Sequence, residues 1–436
     1  MICQFNINPS IFAFPVNLLV GFIIIYIAFR DYQRGKKSGK AGKLSSIKYS
    51  IIASILVIFV AFIYGIGILP TSLDFTSSWI FVGVIIWFLI VLSAVLIRRI
   101  ATTKLFNIQN ITFLLSHFGL WLAVMAGLFG NADQQNMRMI INKSGFINTC
   151  YSEKREAITL PFSVVLNKFE VEYYDTGDPS RYCASITINE DNSFIKDKIE
   201  INHPIRYGKY DIYLQSYDSS KGNETSYCLL QIVKQPWKWL IFSGIILMIL
   251  GALLSFIKLG KWKFSGWIIF FFILGLLIYM IFIFASMKLH SKPLIPALQS
   301  KWFIPHITMY MFSYALLGCA FVITIIGLIK KNYNPLSTLD SLILIGISFF
   351  TIGMLFGALW AKEAWGDYWT WDPKETWSAV TWLGFLTYLH LRRGIKIRKK
   401  LLYLVVILSF LALQMCWYGI NYLPNAKESV HTYSRE

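Results

Sequence analysis

Apolar residues in this 436-residue chain are gathered into long unbroken runs, an arrangement that a soluble core does not require. A helix crossing the hydrocarbon core of a bilayer needs roughly 20 apolar residues. Ten runs approach that length, at about 11–29, 50–68, 79–97, 111–130, 237–257, 266–286, 304–329, 340–358, 373–391 and 401–418. Counting domains by length therefore does not apply. The fold expected is an all-α polytopic membrane protein of about ten transmembrane helices, interrupted by one small, mostly-β domain outside the cytoplasm. The opening stretch MICQFNINPS has no basic segment, so a cleaved signal peptide is not expected.

The formal charge of +18 raises the possibility of a nucleic-acid partner, and its distribution argues against one. Twenty-one Lys and Arg residues lie on alternate connections: Arg30 to Lys48, Arg98 to Lys104, Lys258 to Lys263, Lys330–Lys331 and Arg392 to Lys400. The opposing short segments and the C-terminal tail carry only seven: Lys288, Lys292, Lys301, Lys362, Lys374, Lys427 and Arg435. Short cytoplasmic loops are enriched in Lys and Arg, so the richer set is read as cytoplasmic. Both termini, 131–236, 287–303 and 359–372 then lie on the other side. The basic stretch 30–49 reads as a solvated linker.

Residues 131–236 are the one sizeable polar insertion, and they alternate apolar and polar residues at period two, as in Phe162-Ser-Val-Val-Leu166 and Phe169-Glu-Val-Glu-Tyr-Tyr174. Thr176-Gly-Asp-Pro179, Glu190-Asp-Asn192 and Lys221-Gly-Asn223 supply turns between the runs. A small antiparallel β domain between two membrane helices is expected. Of six cysteines, Cys150, Cys183 and Cys228 fall in this domain, where a disulfide is permitted and small buried apolar groups are the simpler reading. No Cys-x-x-Cys-His is present, so the chain is not itself a c-type cytochrome.

Between the eighth and ninth runs, Trp360, Trp365, Trp369, Trp371 and Trp377 crowd into eighteen positions. An interfacial aromatic belt accounts for one or two Trp at a helix end and not for five in one connection. Broad amphipathic faces of this kind suit stacking against a planar macrocycle. Asp372-Pro-Lys-Glu375 has the form of a capping box with proline in the first helical position. Asp372 and Glu375 are thus expected to set the angle between the Trp connection and the next helix rather than to move protons.

Trp365-Gly-Asp-Tyr-Trp-Thr-Trp-Asp372 resembles the W-G-x-x-W-x-W-D motif of haem-handling membrane proteins in cytochrome c biogenesis. With Pro373-Lys-Glu-Thr-Trp377 it is similar to the system II branch, the CcsA or ResC family, over roughly 266–436. Upstream, Ser72-Leu-Asp-Phe-Thr-Ser-Ser-Trp79, His117-Phe-Gly-Leu120 and Asn202-His-Pro-Ile-Arg-Tyr-Gly-Lys-Tyr-Asp-Ile-Tyr213 resemble, in the right order, the partner CcsB or ResB family. The whole chain looks like a fused system II cytochrome c synthase. Its division is read as 1–130, N-terminal membrane helices with 50–130 ResB-like; 131–236, the ResB-like β domain; 237–265, a connecting helix; and 266–436, the CcsA-like membrane domain. The first helix has no counterpart in the partner family, and Gln235 stands where that family tends to have an acidic residue.

The resemblance implies haem b as a transported substrate whose iron is held by pairs of imidazoles. His306, in His306-Ile-Thr-Met-Tyr-Met-Phe-Ser-Tyr-Ala315, and His431, in Val430-His-Thr-Tyr433, match the family's external iron ligands. Trp360, Trp365, Trp369, Trp371, Asp372 and Trp377 form the expected platform beside them. His117 lies about 10 Å into its run at 1.5 Å per residue, and His390 closes the ninth run beside Arg392. Both match the family's intramembrane histidines, towards the cytoplasmic side, as an entry site requires. His290 is the rival external ligand and His203 reads as structural.

The expected function is transmembrane delivery of haem and its thioether attachment to Cys-x-x-Cys-His of an apocytochrome c, a holocytochrome c synthase activity. Partners would include a thioredoxin-like protein that keeps those thiols reduced. The setting would be the bacterial cytoplasmic membrane. A haem exporter without ligation activity, or an unrelated transporter or polymerase whose Trp segment binds a sugar or lipid-linked substrate, are the alternatives.

Overall fold

A computed structural model of the chain describes residues 6–67, 75–104, 106–191, 193–259, 295–331 and 336–424, with isolated positions between 271 and 279. The described helices are α1 (Val16–Lys37), α2 (Ile47–Gly65), α3 (Trp79–Thr102), α4 (Ile108–Gly130), α5 (Lys238–Ser255), α6 (Phe303–Ile329), α7 (Leu336–Trp365), α8 (Pro373–Gly394) and α9 (Lys399–Trp417). Eight of them are long and apolar enough to cross a membrane, the exception being α8, whose ends carry Lys374, Glu375, Arg392 and Arg393. The chain is a polytopic membrane protein with a separate β domain. The expected span 266–286 and the sites His290 and His431 lie outside the described residues, 266–286 apart from its isolated positions.

The expected connection 359–372 is shorter in the structure. Helix α7 runs on to Trp365, because Ala361-Lys-Glu-Ala364 is strong helix-forming sequence. It stops where Gly366 adopts φ +91°, a left-handed conformation natural to a residue without Cβ. Trp360 and Trp365 are consequently helical, and only 366–372 is left to join α7 to α8.

The insertion forms one antiparallel sheet of eight strands in the order β5-β4-β3-β2-β1-β8-β7-β6. The strands are β1 (Gln135–Asn142), β2 (Ile147–Ser152), β3 (Ala157–Tyr173), β4 (Pro179–Glu190), β5 (Ser193–Glu200), β6 (Ile205–Tyr207), β7 (Tyr210–Tyr217) and β8 (Tyr227–Lys234). A single sheet encloses a core only by curling, and a bridge between Glu200 and His203 draws the β5 end towards β6. Met137, Met139, Val164, Ile186, Ile212 and Ile232 form that core. Cys150, Cys183 and Cys228 are buried free thiols. Burial pushes the Cys183 thiol up to about 11 and the Cys228 thiol up to about 12, so both stay protonated and behave as small apolar groups.

Asp133 ties the domain to the bundle. It accepts the backbone N–H of Phe14 at 2.8 Å, the amide of Asn17 at 2.7 Å and the indole N–H of Trp237 at 2.8 Å. The first helix thus anchors both the entry to the β domain and the exit from it. At the opposite, basic end, Arg98 donates to the Ser45 carbonyl at 3.3 Å. There Asp340 also accepts Tyr388 O–H at 2.8 Å and pairs with Arg392 at 3.0 Å.

Candidate functional site

Two constellations lie at opposite ends of the bundle. On the side of the β domain, His306 sits in the first turn of α6 and its Nδ1 donates to the Gly353 carbonyl of α7 at 2.8 Å. Since a carbonyl only accepts, Nδ1 carries the proton, and the lone pair of the neutral ring is on Nε2, the nitrogen a metal would use. Gly357 permits this packing: a Cβ there would stand 2.7 Å from the imidazole Cε1. Tyr310 meets the ring edge-on at 4.8 Å between centroids, and Trp360 lies at 5.9 Å.

The five tryptophans divide into two kinds. Trp360 and Trp377 are each only 3% exposed and serve as bolts. Trp360 donates its indole N–H to the Ala297 carbonyl at 2.9 Å, and Trp377 donates to the Gly65 carbonyl of α2 at 2.9 Å. Their faces are committed to the bundle, which corrects the expectation that all five offer a surface. Trp365, Trp369 and Trp371 are half-buried at the end of α7 and in the connection. Trp371 takes φ +60° and packs edge-on against Phe81 of α3 at 5.1 Å. The buried indole N–H of Trp369 has no hydrogen-bond partner among the described residues.

Asp372 caps α8 as its spacing predicts. Its Oδ1 accepts the Glu375 N–H at 2.8 Å, while Glu375 Oε2 accepts the N–H of Thr370 at 2.7 Å and that of Asp372 at 3.3 Å. Both carboxylates are therefore engaged in shaping the connection, with the Asp372 side chain holding backbone.

Sequence reasoning missed the polar joint beneath this connection. Lys362, buried in the last turns of α7, donates to Gln235 Oε1 at 2.9 Å and to the Gly366 carbonyl at 2.7 Å, and lies 3.4 Å from Asp211 of β7. Asp211 also pairs with Lys238 at 2.6 Å. Gln134 donates to Asp367 at 2.5 Å and accepts from Gln235 at 2.8 Å. Gln235 meets a lysine here, with the charge provided by Asp211. A second joint links the Asn-x-Pro element: Asn202 donates to the carbonyls of Pro296, at 3.0 Å, and Ala297, at 3.3 Å, the latter being the acceptor of Trp360. A lone lysine within an aromatic stretch and an aspartate inside the strand Tyr210-Asp-Ile-Tyr213 were the available signals.

At the basic end, His117 of α4 and His390 of α8 line one cavity of about 530 Å³ between the helices. Each ring donates from Nδ1 to the carbonyl one turn back in its own helix, His117 to Phe113 at 2.9 Å and His390 to Leu386 at 2.7 Å. In both neutral rings the lone pair is again on Nε2. Phe113 stacks on His117 at 3.8 Å. The remaining wall is mostly apolar, with Leu92, Leu120, Met248, Leu344 and Trp382, together with hydroxyls such as Ser50, Ser116 and Thr351. The rings come from helices far apart in sequence, and tertiary structure alone brings them together.

A helical membrane bundle that clamps a curled β domain onto a tryptophan connection, with histidine sites at both ends, is the class of protein these elements define. Residues 107–229 match the ResB-like family and residues 237–426 match the cytochrome c assembly protein family. The cytochrome c biogenesis protein CcsA of Chlamydomonas reinhardtii is 41% identical over 158 residues, covering 33% of this chain and 43% of that protein. Those of Atropa belladonna and Guillardia theta are 34% identical over 174 residues and 35% over 175, covering 30% and 33% of this chain and 56% and 57% of the relatives. The chain thus spans about half the length of the curated relatives it matches. A ResB-like segment is thus followed by a cytochrome c assembly segment in one polypeptide.

Proposed function

We propose that this protein acts in cytochrome c biogenesis by moving haem across the membrane and attaching it covalently to apocytochrome c. The observation that carries the reading is the shared cavity of His117 and His390, one histidine from each matched segment. Haem b enters from the basic, cytoplasmic side and is held there by two neutral imidazoles through Nε2. It reaches the outer side, where His306 and His431 hold the iron and Trp365, Trp369 and Trp371 carry the ring. The β domain and both termini share that outer side, following the Lys and Arg distribution. In a bacterium the membrane is the cytoplasmic one.

In the attachment step each cysteine thiol of Cys-x-x-Cys-His adds across a haem vinyl group. The sulfur bonds to the inner vinyl carbon and the thiol hydrogen ends on the outer one, with no change in net oxidation level. The apocytochrome histidine displaces one platform ligand. The catalytic effect is proximity and orientation, since no described side chain is placed as a nucleophile. Thiols must arrive reduced, which calls for a thioredoxin-like reductant.

The test is the absorption spectrum of the purified protein with His117→Ala, His306→Ala, His390→Ala and His431→Ala. Bound haem with a bis-histidine spectrum, altered at one site by the first and third variants and at another by the other two, is expected. A haem-free protein in every preparation, after haem supply to the cells, overturns the reading. Co-expression with an apocytochrome in cells lacking other maturation systems separates synthase from exporter: covalent haem is expected, and its absence leaves delivery alone.

A further inference from the structure

The cavity at the basic end has an uneven charge. Arg98, Arg99 and Arg393 line it beside the two histidines, and no Asp or Glu is among its lining residues. Arg392 is neutralised by Asp340, but no carboxylate among the described residues pairs with the other three. Interfacial arginines commonly turn outward to lipid phosphate. Arg99 does not follow that pattern. Its guanidinium lies over the Phe113 ring at 5.0 Å from the centroid, on the ring that stacks at 3.8 Å against His117. One terminal nitrogen bonds Asn110 Oδ1, and its buried Nε has no hydrogen-bond partner among the described residues. A cation held in an apolar wall with an unsatisfied donor is costly unless an anion meets it.

We infer that Arg99, with Arg98 and Arg393, binds the propionate carboxylates of haem in this cavity and so fixes which edge of the ring faces the cytoplasmic mouth. The inference rests on the reading that the cavity takes haem. The propionates leave one edge of the porphyrin, so a ring ligated by His117 and His390 in a mostly apolar cavity turns that edge to the wall that carries Arg98, Arg99 and Arg393. Planar guanidinium forks suit carboxylates. The Arg99–Phe113–His117 stack sets the position of the carboxylate donor relative to the iron ligand, so orientation and ligation are coupled. The selected substrate class is an amphipathic metalloporphyrin with free carboxylates.

The experiment titrates full-length protein in detergent with haem and with its dimethyl ester, following the bis-histidine Soret band. His306→Ala is present throughout, so that the cavity dominates the signal. The parent is expected to bind the free acid at least about tenfold more tightly than the ester, the factor of one good charge-assisted hydrogen bond. Arg99→Gln with Arg98→Gln should reduce affinity for the acid to that for the ester and leave ester binding unchanged. Arg99→Lys, which keeps the charge and loses the fork, should fall between them. Unchanged ester binding also shows that the glutamine variants are folded. Equal binding of acid and ester by the parent, with the band still lost in His117→Ala and His390→Ala, overturns the arginine assignment and leaves the haem reading standing. A band indifferent to both histidines overturns the haem reading and the assignment together.

Discussion

Lys362 of the bundle and Asp211 of the β domain meet at 3.4 Å in a buried joint directly beneath the tryptophan connection. The same ammonium holds the carbonyl of Gly366, so the β domain is coupled through one side chain to the residue at which α7 ends. The two matched segments are in this way more than neighbours in sequence.

Removing Asp211 takes away the carboxylate that pairs with Lys238 and lies 3.4 Å from the buried Lys362. Uncompensated buried charges cost about 3–5 kcal/mol. Asp211→Leu is expected to lower the midpoint of thermal unfolding and to expose the 366–372 connection to protease. Adding Lys362→Met should recover part of the loss, giving a non-additive double-mutant cycle. Additive effects of the two substitutions contradict the joint.

Asp367, in the connection itself, holds its proton to higher pH than a surface carboxyl does. Burial raises its carboxyl above the ordinary range, more than the Gln134 hydrogen bond and Lys362 lower it. A raised acid binds protons more readily when folded, so its contribution to stability is greatest at acid pH and falls as pH rises through the raised value. Asp367→Asn keeps an acceptor for Gln134 and removes the charge. The variant should unfold at a higher temperature than the parent at neutral pH, with the difference vanishing towards acid. Melting curves at matched pH values decide this, and a constant difference across pH refutes it.

Gly357 is set against the His306 ring. Gly357→Ala places a methyl 2.7 Å from Cε1 and 2.8 Å from Nδ1, so the imidazole must move. Gly353→Ala is milder, with its nearest contacts at 3.3 Å. The haem spectrum of Gly357→Ala is expected to approach that of His306→Ala, with Gly353→Ala closer to the parent. Parent-like spectra for both variants would show that His306 does not hold iron.

Asp372 contributes a cap. Asp372→Ala should cost about 1 kcal/mol of stability, while Asp372→Asn, which keeps the Oδ1 acceptor, should cost a small fraction of that. Calorimetry of both variants measures the difference. Equal losses would mean that the negative charge, and not the hydrogen bond to Glu375, matters at this helix start.

Much of this molecule was determined locally and was therefore legible in the order of its residues. Apolar runs of membrane length, period-two alternation over 131–236 and Asp372-Pro-Lys-Glu375 each act through neighbours a few positions away, so spans, strands and cap follow from spacing. The histidines and tryptophans could be named from the same order. Which tryptophans keep a face to offer was decided by packing: Trp360 and Trp377 gave their N–H groups to carbonyls of Ala297 and Gly65, distant in the chain. The joint of Asp211 with Lys362 and the cavity shared by His117, His390 and Arg99 likewise exist only after distant helices and strands have come together. Long-range contacts carry no periodicity of their own, and a buried charge is stable only beside a partner that the tertiary structure provides.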